Sequence, residues 1–209
     1  MRIRSILAIA TLLASVAPAG AGTIRGRLHL GSGSKPVTIG ASSMEVMGLE
    51  QAVVWVDSLP PKFARRHRGK PRPARIVQID RQFAPRVTTV IAGTTIRFVN
   101  RDKVFHNVFS ISPARRFDIG RYSPSAIRDV TFDHPGVVNL FCEIHPWMSA
   151  YVIVLPNRFY ARPDRAGVFQ LPKLPPGRYR LHFWHPTHGE QRREVEVPSR
   201  GDGVVAVSL

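Results

Sequence analysis

The stretch "NLFCEIHPWMSAYVIV", residues 139–154, contains the only cysteine of a 209-residue chain. Cys142 is followed by His145 and then by Met148, each three positions further on, and an apolar run comes next. The letters "VVNLFC" predict a strand that places Cys142 on one face with its apolar neighbours, because side chains alternate along a strand. A lone exposed thiol in an oxidising compartment is open to oxidation or pairing between molecules. Cys142 is therefore either buried and inert or bound through its sulfur.

The residue types around this thiol indicate a transition metal. A thiolate, an imidazole and a thioether together suit copper better than calcium or magnesium. The thioether of Met148 also argues against zinc, whose sites use Cys, His and carboxylate ligands. A trigonal copper site needs a second histidine, and the best candidate is His106 in "NRDKVFHNVFS", about 36 residues upstream and just past a predicted strand.

These two blocks resemble those of the cupredoxins, the blue copper proteins. The cupredoxin pattern Asn-x5-His-Asn is matched by Asn100, His106 and Asn107, and the second pattern, an aromatic-rich strand into Cys-x2-His-xn-Met, by "DHPGVVNLFCEIHPWM" (133–148). The upstream letters "QFAPRVTTVIAGTTIRFVNRD" (82–102) also resemble the start of a cupredoxin. The short ligand loop is more similar to the loop of amicyanin than to the longer loop of plastocyanin. The resemblance to amicyanin implies a role in methylamine utilisation.

The resemblance implies one copper ion that alternates between Cu(I) and Cu(II). Cys142 would provide the short thiolate bond, His106 and His145 the other strong bonds, and Met148 the weak axial one. Enzymes with several coppers need further histidine motifs of the His-x-His type, and the sequence has none. The chain is therefore expected to carry electrons and not to be an enzyme.

The resemblance also assigns roles to residues around the ligands. Asn100 and Asn107 would lie behind them, and the backbone amide of Asn107 would donate a hydrogen bond to the ligand sulfur and help to set the potential. His145, with Pro146 and Trp147 beside it, would form the surface at which electrons enter and leave. The expected partners are redox proteins such as a dehydrogenase or a c-type cytochrome.

Two other functions stay open at this point. The chain could bind and deliver copper without a redox circuit, although delivery proteins more often use flexible Met- and His-rich tracts and this chain has only four Met. It could also be an adhesive or interaction module, in which a second β-sandwich and a basic loop, both described below, carry the function. A preorganised set of one cysteine, two histidines and one methionine favours electron transfer.

The first 21 residues have the pattern of a secretory signal peptide. Two early arginines precede an apolar core over residues 6–16, and the small residues Ala19-Gly20-Ala21 follow. The core is too short to span a bilayer, although an uncleaved anchor is the alternative. We expect cleavage after Ala21, or else after Ala19, export to a bacterial periplasm, and no membrane-spanning segment in the mature chain.

The chain is strongly basic, with a formal net charge of +16. Seven Lys and Arg lie in the proline-rich stretch 60–75, "PPKFARRHRGKPRPAR", which is expected to be a loop. This loop is either a solvated connection or a docking surface for an acidic partner or an anionic membrane. A nucleic acid is not expected, since the chain is exported and has no recognisable nucleic-acid-binding motif.

Short alternating strands separated by Gly and Pro turns predict an all-β protein. Residues 76–156 are expected to form a cupredoxin Greek-key β-sandwich, with a loop at 114–125. The tail 157–209 has a pattern of acidic, glycine, aromatic and apolar residues at Asp164, Gly167, Phe169, Leu171, Leu174, Pro175, Gly177, Tyr179 and Leu181. This pattern resembles the second half of the carboxypeptidase regulatory-like (transthyretin-like) β-sandwich. The letters "IRGRLHL" (24–30) and "AVVWV" (52–56), within residues 23–59, resemble its first half. We expect the cupredoxin to be inserted into that discontinuous sandwich. Alternatively, residues 23–59 add strands to the cupredoxin.

Three histidines at three-residue spacing occur in "LHFWHPTHGE", residues 181–190. A second metal site here is conceivable. However, His182 and His185 are expected on opposite faces of a strand, and Pro186 turns the chain before His188, so the pattern does not favour one.

Overall fold

The computed structural model describes residues 20–31, 48–67 and 69–209. The predicted signal peptide lies outside the described residues, apart from its last two positions. No helix in the described part of the chain is long and apolar enough to cross a membrane. The strands of the described residues are, in chain order, β1 (Ile24–His29), β2 (Val53–Val56), β3 (Ala74–Ile79), β4 (Gln82–Ala84), β5 (Val87–Ile91), β6 (Thr94–Asn100), β7 (Phe109–Ser112), β8 (Arg115–Asp118), β9 (Ile127–Phe132), β10 (Gly136–Phe141), β11 (Ser149–Leu155), β12 (Tyr160–Ala161), β13 (Val168–Gln170), β14 (Gly177–His185), β15 (Gly189–Val197) and β16 (Gly203–Ser208).

The first β-sandwich is formed by β3 to β11. Its two sheets have the strand orders β5-β11-β10-β7-β8 and β4-β3-β6-β9. The pairs β5–β11 and β3–β6 are parallel, and the other pairs are antiparallel. Alternation along strands such as β6 turns Ile96 and Phe98 inward and Arg97 outward. Cys142 and Met148 belong to the same buried core as these side chains.

The second β-sandwich combines strands from both ends of the described chain. Its sheets have the orders β13-β1-β16 and β12-β2-β14-β15. β14 turns Tyr179, Leu181 and Phe183 into an apolar core, where they meet residues such as Ile24 and Val54. The predicted all-β class with two β-sandwiches is confirmed.

A separate apolar cluster joins the two sandwiches. Val53, Trp55 and Trp184 of the second sandwich contact Ile153 and Leu155 of the first. All four residues of β2 are buried, because one face of this strand packs into its own sandwich and the other face packs into this joint. β2 therefore reads as a continuous apolar run and not as an alternating strand.

Two segments differ from the sequence expectation. The first is 114–125, expected to be a loop, where β8 pairs with β7 over four residues. Phe117 of β8 packs against the core, so the strand alternates, and Gly120 in the left-handed region (φ +66°) follows shortly after it ends. Gly and Pro in this stretch therefore mark the end of the strand and do not exclude it.

The second difference lies in the basic stretch, where residues Pro61–Arg66 form a short helix, α1. Pro61 occupies the first turn, where its fixed φ favours a helix and its missing N–H costs nothing. Phe63 of this helix contacts Phe159, with ring centroids 5.3 Å apart, and packs on the second core. The apolar contact of Phe63 explains why this part of the stretch is not an irregular loop.

Candidate metal centre

Three side chains converge at one end of the first sandwich. The Sγ atom of Cys142 lies 3.7 Å from Nδ1 of His106 and 3.8 Å from Nδ1 of His145, and the two nitrogens are 3.1 Å apart. The centre of this triangle is about 2.1 Å from all three atoms, which matches transition-metal bonds to imidazole and thiolate of about 2.0–2.3 Å. The arrangement fits a transition metal with one sulfur and two nitrogen ligands.

The strand ladder fixes the loop that carries two of these ligands. Cys142 follows β10 directly, and β11 begins one residue after Met148. Phe141 and Ser149 are partners in the β10–β11 ladder, so both ends of the loop 142–148 are held together. Inside it, the amide of Met148 donates to the carbonyl of His145 at 2.9 Å. The loop has little freedom to move its ligands apart.

A carboxylate that the sequence analysis did not single out holds His106. Nε2 of His106 lies 2.7 Å from Oδ2 of Asp102. A carboxylate accepts, so Nε2 carries the proton and Nδ1 presents its lone pair to Cys142. Such carboxylate–histidine pairs are typical of metal sites, because they fix the tautomer and orientation of the ligand ring. Asp102 lies four residues before His106 in an irregular loop, a spacing that by itself gives no signal of contact.

Asp102 is itself held by a tight turn between β3 and β4. The backbone amides of Asp80 and Arg81 donate to its two oxygens at 2.7 and 2.9 Å. Both turn residues are in the left-handed region, with φ of 52° and 54°, and this conformation aims both amides at the carboxylate. Burial pushes the pKa of Asp102 upward, but the donors from Arg81, His106 and Asp80 outweigh it and hold that pKa below its usual value.

The two asparagines of the predicted pattern connect the loops around the site. The side-chain amide of Asn100 donates to the carbonyl of Val104 at 2.8 Å, and its oxygen accepts from the backbone of Asp102 at 3.0 Å. Oδ1 of Asn107 accepts from the backbone of Glu143 at 2.7 Å, which ties the two ligand loops to each other. The predicted donation from the Asn107 amide to the sulfur stays a prediction.

A buried polar chain lies behind Asn107. Nε2 of Gln78 donates to the carbonyl of Asn107 at 3.2 Å, and the Tyr122 hydroxyl donates to the Gln78 side-chain oxygen. Burial first, and then the charge of Cys142, raise the pKa of Tyr122, so its hydroxyl stays neutral and donates. His106 is paired with Tyr122 through two backbone hydrogen bonds of 3.2 and 2.8 Å. These contacts hold the ligand segment from the side of the protein interior.

The predicted electron port lies on the solvent side of the ligands. His106 and Cys142 are 0% and 2% exposed, whereas His145 is 9% exposed. Pro146 is exposed, and Trp147, 58% exposed, places its ring edge-on to that of His145 with centroids 5.3 Å apart. Burial first, and then the electrostatic influence of the neighbouring groups, with Arg81 among them, lowers the pKa of His145 and favours its neutral form.

Met148, the predicted axial ligand, is 1% exposed and lies in the same core cluster as Cys142. The structure brings His106, Cys142 and His145 together, and the axial role of Met148 stays a prediction. His182, His185 and His188 belong to the second sandwich and are not part of this site.

No protein-family model and no curated protein matches the chain. Among solved structures, the chain is similar to a purple cupredoxin from Nitrosopumilus maritimus, at 24% identity and a TM-score of 0.36, over 39% of this chain and 99% of that one. It is also similar to an oxidised amicyanin variant, at 20% identity and a TM-score of 0.38, over 40% of this chain and 82% of that one.

A third similar structure is a copper-containing nitrite reductase from Thermus scotoductus SA-01. The identity is 23% and the TM-score 0.39, over 58% of this chain. The matched part is only 25% of the nitrite reductase chain.

Proposed function

We propose that this protein is a mononuclear type 1 copper protein of the cupredoxin class that carries single electrons between redox partners. The supporting observation is the convergence of one buried thiol and two imidazole Nδ1 atoms on a point at metal-bond distance. These ligands come from two separate loops that hydrogen bonds tie together. A preorganised set of this kind suits an ion that stays in place, whereas delivery sites must release it.

Each side chain has a separate task in this proposal. His106, Cys142 and His145 would hold the copper, and Met148 would be a further, weaker ligand. The bound copper supplies a one-electron redox change between Cu(I) and Cu(II). Asp102 keeps the proton on Nε2 of His106, and the buried setting of the sulfur keeps bulk water away. We infer a carrier and not an enzyme.

The proposed port is formed by His145, Pro146 and Trp147. Trp147 supports this role, since an aromatic side chain exposed beside a ligand ring offers a partner an apolar contact. The proposed partner is a redox protein such as a dehydrogenase of the methylamine-utilisation type or a c-type cytochrome. The net charge of +16 favours a partner with an acidic docking face, met in part by the basic stretch 60–75.

We further propose a periplasmic location and an inserted domain. The signal pattern of residues 1–21 supports export. The pairing of β1 with β13 and β16, and of β2 with β12 and β14, supports one regulatory-like sandwich built from 23–59 and 157–209, with the cupredoxin domain 76–156 between them. If residues 157–209 fold stably when expressed without residues 23–59, the insertion is wrong.

Copper reconstitution tests the proposed function. Adding Cu(II) to the apoprotein should produce an intense thiolate-to-copper absorption that mild reductant removes and reoxidation restores. Cys142→Ser should abolish this colour, while His134→Gln, at an exposed histidine of a turn, should keep it. A colourless chain that passes Cu(I) readily to a chelator would instead support copper delivery.

A further inference from the structure

A second pair of imidazole nitrogens meets at the hairpin between β14 and β15. Nδ1 of His185 and Nδ1 of His188 are 3.0 Å apart. The hydroxyl of Thr187 lies 3.1 Å from the first nitrogen and 2.8 Å from the second. The sequence does not favour this contact, because Pro186 turns the chain. In the structure that same turn, with the amide of His188 at 3.3 Å from the carbonyl of His185, folds His188 back onto His185.

The hydrogen bonding of His185 resembles that of a metal ligand. The side chain is 0% exposed, and its Nε2 lies 3.2 Å from the carbonyl oxygen of Gly48. A carbonyl only accepts, so Nε2 carries the proton and Nδ1 is the acceptor. In the structure Nδ1 faces His188 and accepts from the backbone amide of Thr187 at 3.3 Å, a contact that a bound metal would replace. Metal-bound histidines almost always donate their other ring N–H to a carbonyl or carboxylate in this way.

The same chain supplies a direct comparison. His106 and His145 have their Nδ1 atoms 3.1 Å apart, and Nε2 of His106 donates to an oxygen. His185 and His188 repeat this spacing and this second contact, but a hydroxyl stands where the first site has a thiol. Two metal–imidazole bonds of about 2.0–2.1 Å to nitrogens at this spacing enclose an angle close to 90°, which tetragonal Cu(II) accepts.

We propose that His185 and His188 form a second metal site, specific for a divalent transition ion and filled most tightly by Cu(II). The two Nδ1 atoms are the protein ligands, the Thr187 hydroxyl stands beside them, and water completes the coordination. Access is open, because His188 is half-buried and Thr187 is exposed. Copper is the best-bound divalent ion of a nitrogen site, as affinity follows the Irving–Williams order. This inference does not depend on the proposed electron-transfer function.

Copper titration of the full chain, followed by electron paramagnetic resonance (EPR), tests the proposal. The wild type should bind two Cu(II) ions, and the second should give a signal of the ordinary nitrogen-coordinated type without a thiolate absorption. His188→Gln should lose the second ion at concentrations that saturate the wild type and leave the first unchanged. His134→Gln is the matched control and should keep both ions.

The proposal is wrong if the wild type and His188→Gln bind copper equally, or if His134→Gln loses as much as His188→Gln does. Either result would leave the contacts of His185, Thr187 and His188 as hydrogen bonds only. If His188→Gln does not fold, pulsed EPR on the wild type decides. Two coordinated imidazoles on the second ion support the site, and fewer than two overturn it. A chain that never turns blue would refute the proposed function but not this site.

Discussion

The two sandwiches bury different kinds of side chain. The first places a group of polar residues inside one end, each with an identified hydrogen-bond partner: Gln78, Asn100, His106 and Asn107. The core cluster of the second is apolar except for Tyr179, whose hydroxyl donates to the carbonyl of Pro175 at 2.7 Å. Burying polar groups is costly unless each has a partner, so the polar interior marks where the first sandwich holds its site. The second sandwich also buries His182 and His185, but both histidines lie outside its apolar core cluster.

The largest expected effect comes from the packing core. Phe183 is 0% exposed and packs edge-on against Phe169, with centroids 5.8 Å apart. Phe183→Ala should lower the free energy of unfolding by about 3–5 kcal/mol, because the lost ring leaves a cavity. The copper absorption of the folded variant should not change. Urea unfolding and a visible spectrum check both parts, and a shifted copper band would show that the two sandwiches are not separable in this way.

A smaller effect is expected from the polar interior. Asp102→Asn removes the charge that holds His106 while keeping the shape of the side chain. Mutation of a residue that hydrogen-bonds to a metal ligand costs about 10–100-fold in metal affinity, or about 1.4–2.7 kcal/mol. Competition with a copper chelator measures it. The control is Asp118→Asn, an exposed aspartate of the same sandwich that accepts from Gly120 at 2.8 Å. Equal copper affinity in the two variants would show that Asp102 does not contribute to metal binding.

The smallest effect concerns pH and the edge of the second sandwich. The pKa of Asp202 is lowered by donation from the backbone of Thr23, at 2.8 Å, with a further contribution from Arg25. A lowered folded pKa stabilises the fold above the usual carboxyl pKa, and this contribution is lost as pH falls through the folded pKa. Asp202→Asn should therefore destabilise the chain slightly at neutral pH and not in acid. Urea unfolding at both pH values checks this, and an equal difference at both would contradict it.

The sequence predicts well what depends on local pattern. Short alternating strands with Gly and Pro turns indicate the all-β class, and the structure forms two β-sandwiches. The ligand blocks around His106 and Cys142 were recognisable because a metal restricts both residue type and spacing. The structure brings His106, Cys142 and His145 together, while the axial role of Met148 is still to be tested.

What depends on irregular backbone could not be predicted. The contact of Asp102 with His106 needs the turn at Asp80 and Arg81, and no periodicity describes such a loop. The contact between His185 and His188 is not predictable for the same reason, because Pro186 indicates a turn but not where that turn places His188. In both cases the contact is made by a turn whose dihedral angles the residue types permit but do not fix.

The turn at Asp80 and Arg81 also affects the net charge of the proposed copper site. Its two amides and the His106 N–H surround Asp102, which stays ionised next to the ligands. In the proposed site, Cu(II) with one thiolate and this carboxylate has no net charge, and reduction would leave one net negative charge in a largely buried place. The oxidised protein is therefore the electrostatically balanced form, and a carrier of this construction should give up its electron more readily than one that lacks the carboxylate.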